Sequence, residues 1–560
     1  MRSAAALAWL GLLACGSEPV PRSAVLLTLD TTRVDALSCY GNPRATTPAL
    51  DALAAEGVRF TRAHTVTALT LPAHASMLTG LDPVRHGLRD NGIAALADEA
   101  RTLAEAAHEA GIETAAFLSS VVLDASFGLA QGFDVYDTPQ RRGRAETSAH
   151  GSERSAAETI DAALAWLAAR DPGRPFLLWV HLYDPHHPYQ PPPDLAGRFA
   201  DQPYLGEVAA MDREIGRLLE SLRADPVAWA RTGVLAVADH GEAFGEHGEV
   251  THGTFCYETT LQVPLIGRWP DELEEREVSD ALAGVVDVAP TLAEVLGLPP
   301  LPGIDGISLI GQPPPDRGLY FESYYPYLTY GWSPLTGWLD ERGKYVHSSD
   351  PELFDWLADP GETRDLAGER PQELEAYRQA IADRAARPAL SPDARGVDDE
   401  MLAQVRALGY AGGGEGEETL PHPLADTGLP APASRADFLA RQAEAQELDA
   451  RGELEAAAAL YAGELERTPT NHQAREALAD LRLRQGRAEE AVALLEELAR
   501  SGPERGRVFF GLGLALRAAG RLEEAIAPLT RAVELTGGRR RYRDVLEETR
   551  RALEANDPDR

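Results

Sequence analysis

Two apolar runs constrain this chain more than anything else in it: Ser23-Ala-Val-Leu-Leu-Thr-Leu-Asp30 and Gly233-Val-Leu-Ala-Val-Ala-Asp239-His240. Each has the length and β-forming content of one buried parallel strand, and each stops at a carboxylate. Ligands of open α/β sheets gather at the carboxyl ends of the strands, so Asp30, Asp239 and His240 are expected on one rim. Asp239 and His240 lead into Gly241, Glu242, His247, His252 and Gly253. This is a metal-ligand type of set, with glycines that let a loop approach a ligand closely.

Between the two runs the pattern alternates. Leu103 to Gly111 and Thr159 to Ala169 read as helices, and Thr114 to Leu118 and Pro175 to Leu182 as strands. Such alternation predicts an α/β fold built on a mostly parallel sheet with helices on both faces. The last of these strands opens into His181-Leu-Tyr-Asp184-Pro-His186-His187-Pro-Tyr189. Histidines and an aspartate this dense, in a loop fixed by prolines, mark a binding segment rather than packing.

Thr70-Leu-Pro-Ala-His74-Ala-Ser-Met-Leu-Thr-Gly80 reads as a turn feeding a helix with a hydroxyl at its mouth. Helix N-terminal amides and a nearby cation can stabilise the anion that a nucleophilic hydroxyl must become. The stretch resembles the sulfatase signature Cys/Ser-x-Pro-Ser-Arg-x-x-x-Leu-Thr-Gly of the alkaline phosphatase superfamily, with Thr70 on the nucleophile position. Two departures stand out. A threonine offers no route to the formylglycine aldehyde of sulfatases proper, and His74 replaces the arginine that holds the aldehyde hydrate. Within the superfamily, a threonine nucleophile is similar to that of nucleotide pyrophosphatases and phosphoethanolamine transferases.

The resemblance extends from about residue 24 to residue 390 and implies roles. Asp30, Asp239, His240 and Thr70 would hold a divalent metal, and Thr70, His74, His186 and His252 would be catalytic. Asp184, His187, His247, Arg85 and Asn91 are further candidates to contact substrate. Thr31 stands where many sulfatases carry a second acid, and Pro188 where a dinuclear phosphatase site wants a histidine. Asp and His ligands suit Zn²⁺ or Mn²⁺, whereas a more oxygen-rich site suits Ca²⁺ or Mg²⁺. The implied activity is metal-dependent hydrolysis of a phosphate or sulfate ester on a small molecule, glycan or lipid. Two alternatives are phosphoryl transfer to lipid or glycan, and a catalytically silent scaffold.

Residues 1–15, with Arg2, an apolar stretch and Leu12-Leu-Ala-Cys15-Gly16, resemble a bacterial lipoprotein signal in which Cys15 is lipidated. An exported protein, periplasmic or anchored in the outer membrane, is expected, with a linker over 16–23. A formal charge of -35 argues against nucleic-acid binding. Cys39 and Cys256 are expected as two buried thiols. A catalytic domain over 24–320 is followed by a small α+β subdomain over 321–390, usually an antiparallel sheet with a helix in sulfatases. A Pro/Gly/Asp/Glu-rich linker over 391–435 wraps the catalytic domain before leaving it.

Residues 436–556 repeat. Gly452, Gly486 and Gly520 open matching Gly-Glu/Arg-x-Glu-x-Ala segments spaced 486 - 452 = 34 and 520 - 486 = 34. That period, with Ala457, Ala491 and Ala525 in phase, resembles tetratricopeptide helix pairs, whose concave face usually takes a peptide or protein partner.

Overall fold

The computed structural model describes residues 22–139 except 93, 153–270, 277–392 except 312, Met401, Val405, 420–501, and 505–555 except 537 and 539. The expected signal segment and Cys15 lie outside these residues. No helix among the described residues is long and apolar enough to cross a membrane.

The large sheet is built from β1 (Ser23–Leu29), β2 (Val58–His64), β3 (Glu113–Leu118), β4 (Val135–Asp137), β5 (Phe176–Leu182), β6 (Thr232–Ala238), β7 (Leu265–Arg268) and β8 (Glu277–Gly284). Its order is β4-β3-β5-β1-β6-β7-β2-β8. Every pairing is parallel except the two made by β7, which runs against both β6 and β2. The central three strands are buried over almost their whole length, which is why their sequences are continuous apolar runs without alternation. β1 lies between β5 and β6. The residues that follow these strands, Asp30 and Asp239-His240, therefore arrive side by side at one sheet edge, next to His181 near the end of β5.

A second sheet, antiparallel and ordered β12-β11-β10-β9, comprises β9 (Leu319–Ser323), β10 (Leu335–Asp340), β11 (Gly343–His347) and β12 (Glu352–Phe354). The helix Pro371–Ala385 packs on it through buried Tyr377 and Ile381. Buried charge joins this subdomain to the large one. Lys344 Nζ lies 3.0 Å from Glu258 and 2.8 Å from Glu362, and the other Glu258 oxygen meets His64 Nε2 at 2.9 Å. Arg89 forms a two-pronged ion pair with Glu322 beneath them.

Beyond residue 420 the chain runs along the small sheet. Tyr324 Oη and Thr336 Oγ1 each donate at 2.8 Å to the carbonyls of Pro421 and Pro423, and Ser333 N–H donates at 2.8 Å to that of Pro430. It then enters antiparallel helix pairs spanning Ala436–Ala450 to Arg540–Ala555. Gly452, Gly486 and Gly520 close the turns at φ 78°, 77° and 77°, a left-handed conformation that favours glycine, which explains their phase in the repeat. The array does not leave the catalytic unit as expected: Phe438, Leu439 and Ala445 belong to the same core as the large sheet. Neither remaining cysteine is paired, and Cys39 is only partly buried.

Candidate active site

Thr70 begins the helix Thr70–Thr79, whose every residue is buried. Leu71 N–H, one of the donors that a helix start leaves unmatched, gives its hydrogen to Asn91 Oδ1 at 2.8 Å. Asn91 is thereby fixed at the helix mouth, and its Nδ2 is buried with no hydrogen-bond partner among the described residues. One turn on, His74 Nδ1 lies 2.8 Å from the Thr70 carbonyl. A carbonyl only accepts, so Nδ1 carries the proton and Nε2 the lone pair.

His240 is set the same way. Its Nδ1 donates to the Gly241 carbonyl at 2.9 Å, which leaves the lone pair of Nε2 3.4 Å from Thr70 Oγ1. Asp239 Oδ1 accepts from the amides of Thr31 (3.2 Å) and His240 (2.8 Å). Thr31 adopts φ 47°, a conformation rare for a β-branched residue, and Tyr204 Oη donates to its carbonyl at 2.8 Å. The threonine that stands in for a second acid thus orients Asp239 with its backbone.

Two triads of ligand-type atoms share Asp239: Asp30, Asp239 and His240, and His74, His181 and Asp239. All are fully buried. Both oxygens of Asp30, Oδ2 of Asp239, Nε2 of His74 and both ring nitrogens of His181 make no hydrogen bond of good geometry among the described residues, although His181 Nε2 lies 3.2 Å from Asp30 Oδ2. Unmatched buried acceptors on this scale are costly. Burial pushes the Asp30 carboxyl up to about 7, against the pull of His240, and pushes the His74 ring down to about 3 and the His181 ring to about 4. Histidines held neutral and carboxylates short of donors are the donor set a divalent cation needs, and the residues fit one.

His252 stands beside His240, ring centroids 4.4 Å apart, with His186 5.3 Å beyond it. Glu242 Oε1 holds His252 Nδ1 at 2.9 Å, and Tyr189 Oη donates to Glu242 Oε2 at 3.1 Å. Chemistry at the His252 ring therefore falls to Nε2. Burial keeps His186 and His252 on the neutral side, the latter down to about 4. His186 stacks on Tyr183 and has Nδ1 2.8 Å from the His187 carbonyl.

Other candidates are occupied elsewhere. Arg85 binds Asp305 at 2.9 Å and the carbonyls of Gly303 and Pro388. Asp184 accepts from Ala156 N–H at 2.8 Å and caps the helix Ala156–Ala169. His247 stacks on Tyr257 at 3.7 Å, with Nε2 3.1 Å from the Gly361 carbonyl. His187 is exposed on the rim of a cavity reached past His186 and His252. His74 is placed as a ligand-type nitrogen, not as a stand-in for an anion-holding arginine. Sequence reasoning missed His181 and Glu242 as site residues. A carboxylate two residues past Asp239-His240 was the available signal for the second, whereas the first lies inside an apolar run that does not single it out.

A family model described as sulfatase matches residues 22–298, and one for the C-terminal region of N-sulphoglucosamine sulphohydrolase matches 245–383. A tetratricopeptide repeat model matches 442–503 and 476–540. The N-acetylglucosamine-6-O-sulfatase of Bacteroides thetaiotaomicron is 24% identical over 487 residues, across 65% of this chain and 86% of its own. Arylsulfatase A of Homo sapiens is 26% identical over 447 residues, across 64% and 87%. Among solved structures, a protein in complex with its substrate D-glucosamine-2-N,6-O-disulfate has a TM-score of 0.57 at 22% identity, covering 65% of this chain and 97% of that one. The phosphonate monoester hydrolase of Agrobacterium radiobacter has a TM-score of 0.56 at 22% identity, covering 65% and 95%. These two share the fold. Through residues 22–383 the chain belongs to the sulfatase family, and it carries tetratricopeptide repeats behind that hydrolase domain.

Proposed function

We propose that the chain hydrolyses a sulfuric or phosphoric ester with Thr70 Oγ1 as the nucleophile. The observation that carries this is the convergence of Thr70 Oγ1 and His240 Nε2, 3.4 Å apart, on a buried cluster of unmatched Asp and His acceptors. Asp30, Asp239 and His240, with His74 and His181 beside them, would hold a divalent cation, which when bound lowers the pKa of the attacking hydroxyl and neutralises the developing oxyanion.

The chain's own residues account for the rest. Thr70 Oγ1 gives up its proton to solvent and forms a bond to sulfur or phosphorus, while the bond from that atom to the leaving oxygen breaks. Asn91 Nδ2–H, a buried donor at the helix mouth, suits a nonbridging oxygen of the ester. Burial pushes the Glu242 carboxyl up to about 8, so that it would pass its proton to His252 Nδ1 as Nε2–H gives its own to the leaving oxygen; His186 flanks this pair. Water then attacks the threonine ester, releasing sulfate or phosphate and restoring Thr70. A threonine cannot be oxidised to the formylglycine aldehyde, which favours phosphate or phosphonate esters. The named relatives favour sulfate.

The test is turnover of aryl sulfate, aryl phosphate and aryl phosphonate esters by metal-loaded protein, with mass analysis of the acid-quenched peptide carrying Thr70. Expected are turnover of at least one ester, a sulfo or phospho adduct on Thr70, and loss of both in Thr70→Ala with bound metal retained. Full turnover by Thr70→Ala would refute the reading. Absence of any stoichiometric metal would favour a silent scaffold. Export with lipidation at Cys15 belongs to the same proposal, and membrane release of a Cys15→Ala chain would support it. A peptide partner on the concave repeat face is a further expectation, to be sought by crosslinking.

A further inference from the structure

The cavity beside His186 and His252 has a volume of about 240 Å³ and two sources of wall. The hydrolase domain supplies the two histidines with Tyr325 and Tyr330. The opposite wall comes from the first repeat helix, Ala436–Ala450, through Leu439, Gln442, Ala443 and Gln446.

That helix is locked in place. Phe438 inserts against Tyr330 and Trp332, with ring centroids 5.6 and 5.8 Å apart. The Ala436 methyl sits against Gly248, where an added Cβ would lie 2.9 Å from it. Further along the array, the buried Arg505 guanidinium donates to the Leu328 carbonyl. Gly331, at φ 71°, faces the Thr470 carbonyl so closely that a Cβ would lie 2.4 Å from its oxygen. Contacts through Phe438, Arg505 and Thr470 fix successive repeats on one subdomain, so the wall is as much part of the site as the floor.

Its chemistry is specific. Gln442 is half-buried and lines the cavity with Gln446, so a side-chain amide that can donate or accept a hydrogen bond stands on this wall. The lining residues described include the carboxyl of Glu249 and no lysine or arginine, so the cavity does not select an anion beyond the ester itself. A volume below the ~300 Å³ at which drug-sized pockets begin admits one ring-sized group rather than an oligosaccharide chain. Tyrosine rings opposite amides suit a hydroxylated ring with one apolar face.

We propose that Gln442, with Gln446 next to it, is a specificity-determining residue whose side-chain amide hydrogen-bonds a hydroxyl of a single neutral sugar-type leaving group. The proposal rests on Thr70 as the reacting centre and adds the leaving group that the repeat helix selects.

The experiment compares wild-type, Gln442→Ala, Gln442→Asn and Thr70→Ala full chains on glucose 6-sulfate, glucose 6-phosphate and the corresponding phenyl esters. Binding of methyl glucoside to each protein is followed by calorimetry. Expected for Gln442→Ala is a fall of about fivefold to tenfold in the ratio of kcat/KM for the hexose ester to that for the phenyl ester, carried mainly by KM, the scale of one lost hydrogen bond. Gln442→Asn should fall between, and methyl glucoside binding should weaken in parallel. An equal loss on both esters, or an unchanged ratio with unchanged glucoside binding, would overturn the proposal. If no protein turns over any ester, the Thr70 reading fails, and the glucoside titration decides the pocket alone: binding weakened in Gln442→Ala but not in Thr70→Ala supports it, and equal binding in all four overturns it.

Discussion

The floor of the site and its far wall are made in opposite ways. The floor comes from residues at or next to the carboxyl ends of adjacent parallel strands, joined by His74 from the helix Thr70–Thr79; it is fully buried and rich in acceptors that suit a cation. The wall comes from the first helix of the repeats, is partly exposed, and presents neutral amides. On the proposed reading, chemistry sits on the sheet and recognition on the docked helix, so that a repeat array fused to a hydrolase need not act only by holding a partner at a distance.

The difference can be broken at several points. Asp239 belongs to both ligand triads, so Asp239→Ala should lower turnover by a factor of about 10³ or more and strip the metal, read by kinetics and elemental analysis of dialysed protein. An unchanged metal content would place the cation elsewhere.

The frame under both floor and wall is the Lys344, Glu258 and Glu362 cluster. Glu258→Gln leaves Lys344 less compensated and should destabilise the protein by about 3–5 kcal/mol in chemical unfolding. Burial alone would raise the Glu258 carboxyl, but Lys344 and His64 outweigh it and hold it well below the usual carboxylate range, at about 2. The sign follows from a folded pKa depressed below the unfolded one. This contribution is complete above the ordinary value of 4.5 and is lost as pH falls from there toward 2. Wild-type stability should drop through that window, and the drop should be smaller in Glu258→Gln. Parallel pH profiles would remove the cluster from the account.

His181 sharpens the floor. If it is a ligand, His181→Gln should weaken metal affinity by at least about tenfold to 100-fold, the scale reached even by residues that only support ligands. A smaller change in competition with a chelator would reduce it to packing.

The smallest effect tests the wall. Gly331→Ala adds a Cβ against the Thr470 carbonyl in a left-handed conformation, which alone costs about 1–2 kcal/mol. It should loosen the repeats, giving faster hydrogen exchange in the helix Ala436–Ala450 while bound metal is retained. Unaltered exchange would mean that the docking does not depend on this contact.

The sheet and the repeats were legible in the sequence because each is written in a local pattern: continuous apolar runs for strands buried on both faces, and a 34-residue period for the helix pairs. Asp30, Asp239 and His240 could be read for the same reason, since each interrupts such a run. His181 could not be singled out, because it lies inside its run between Val180 and Leu182, and a strand buried on both sides has no polar face to show which residue looks toward the site. Arg85 and His247 looked like site residues because they sit in glycine-bearing loops. Their partners, Asp305 and Gly361, are far away in sequence, so the contacts that occupy them are invisible to local reading. Gln442 had no signal at all. On a helix it resembles any solvent-facing position, and only the docking turns it inward.

The docked helix also sets an order of events. Residues 436–446 leave the ribosome after every residue of the ligand triads, so a growing chain completes its catalytic centre before its selecting wall. On the proposed reading, discrimination between leaving groups would be acquired only after the ligand cluster is complete, and a chain ending before residue 436 would keep that cluster without the wall.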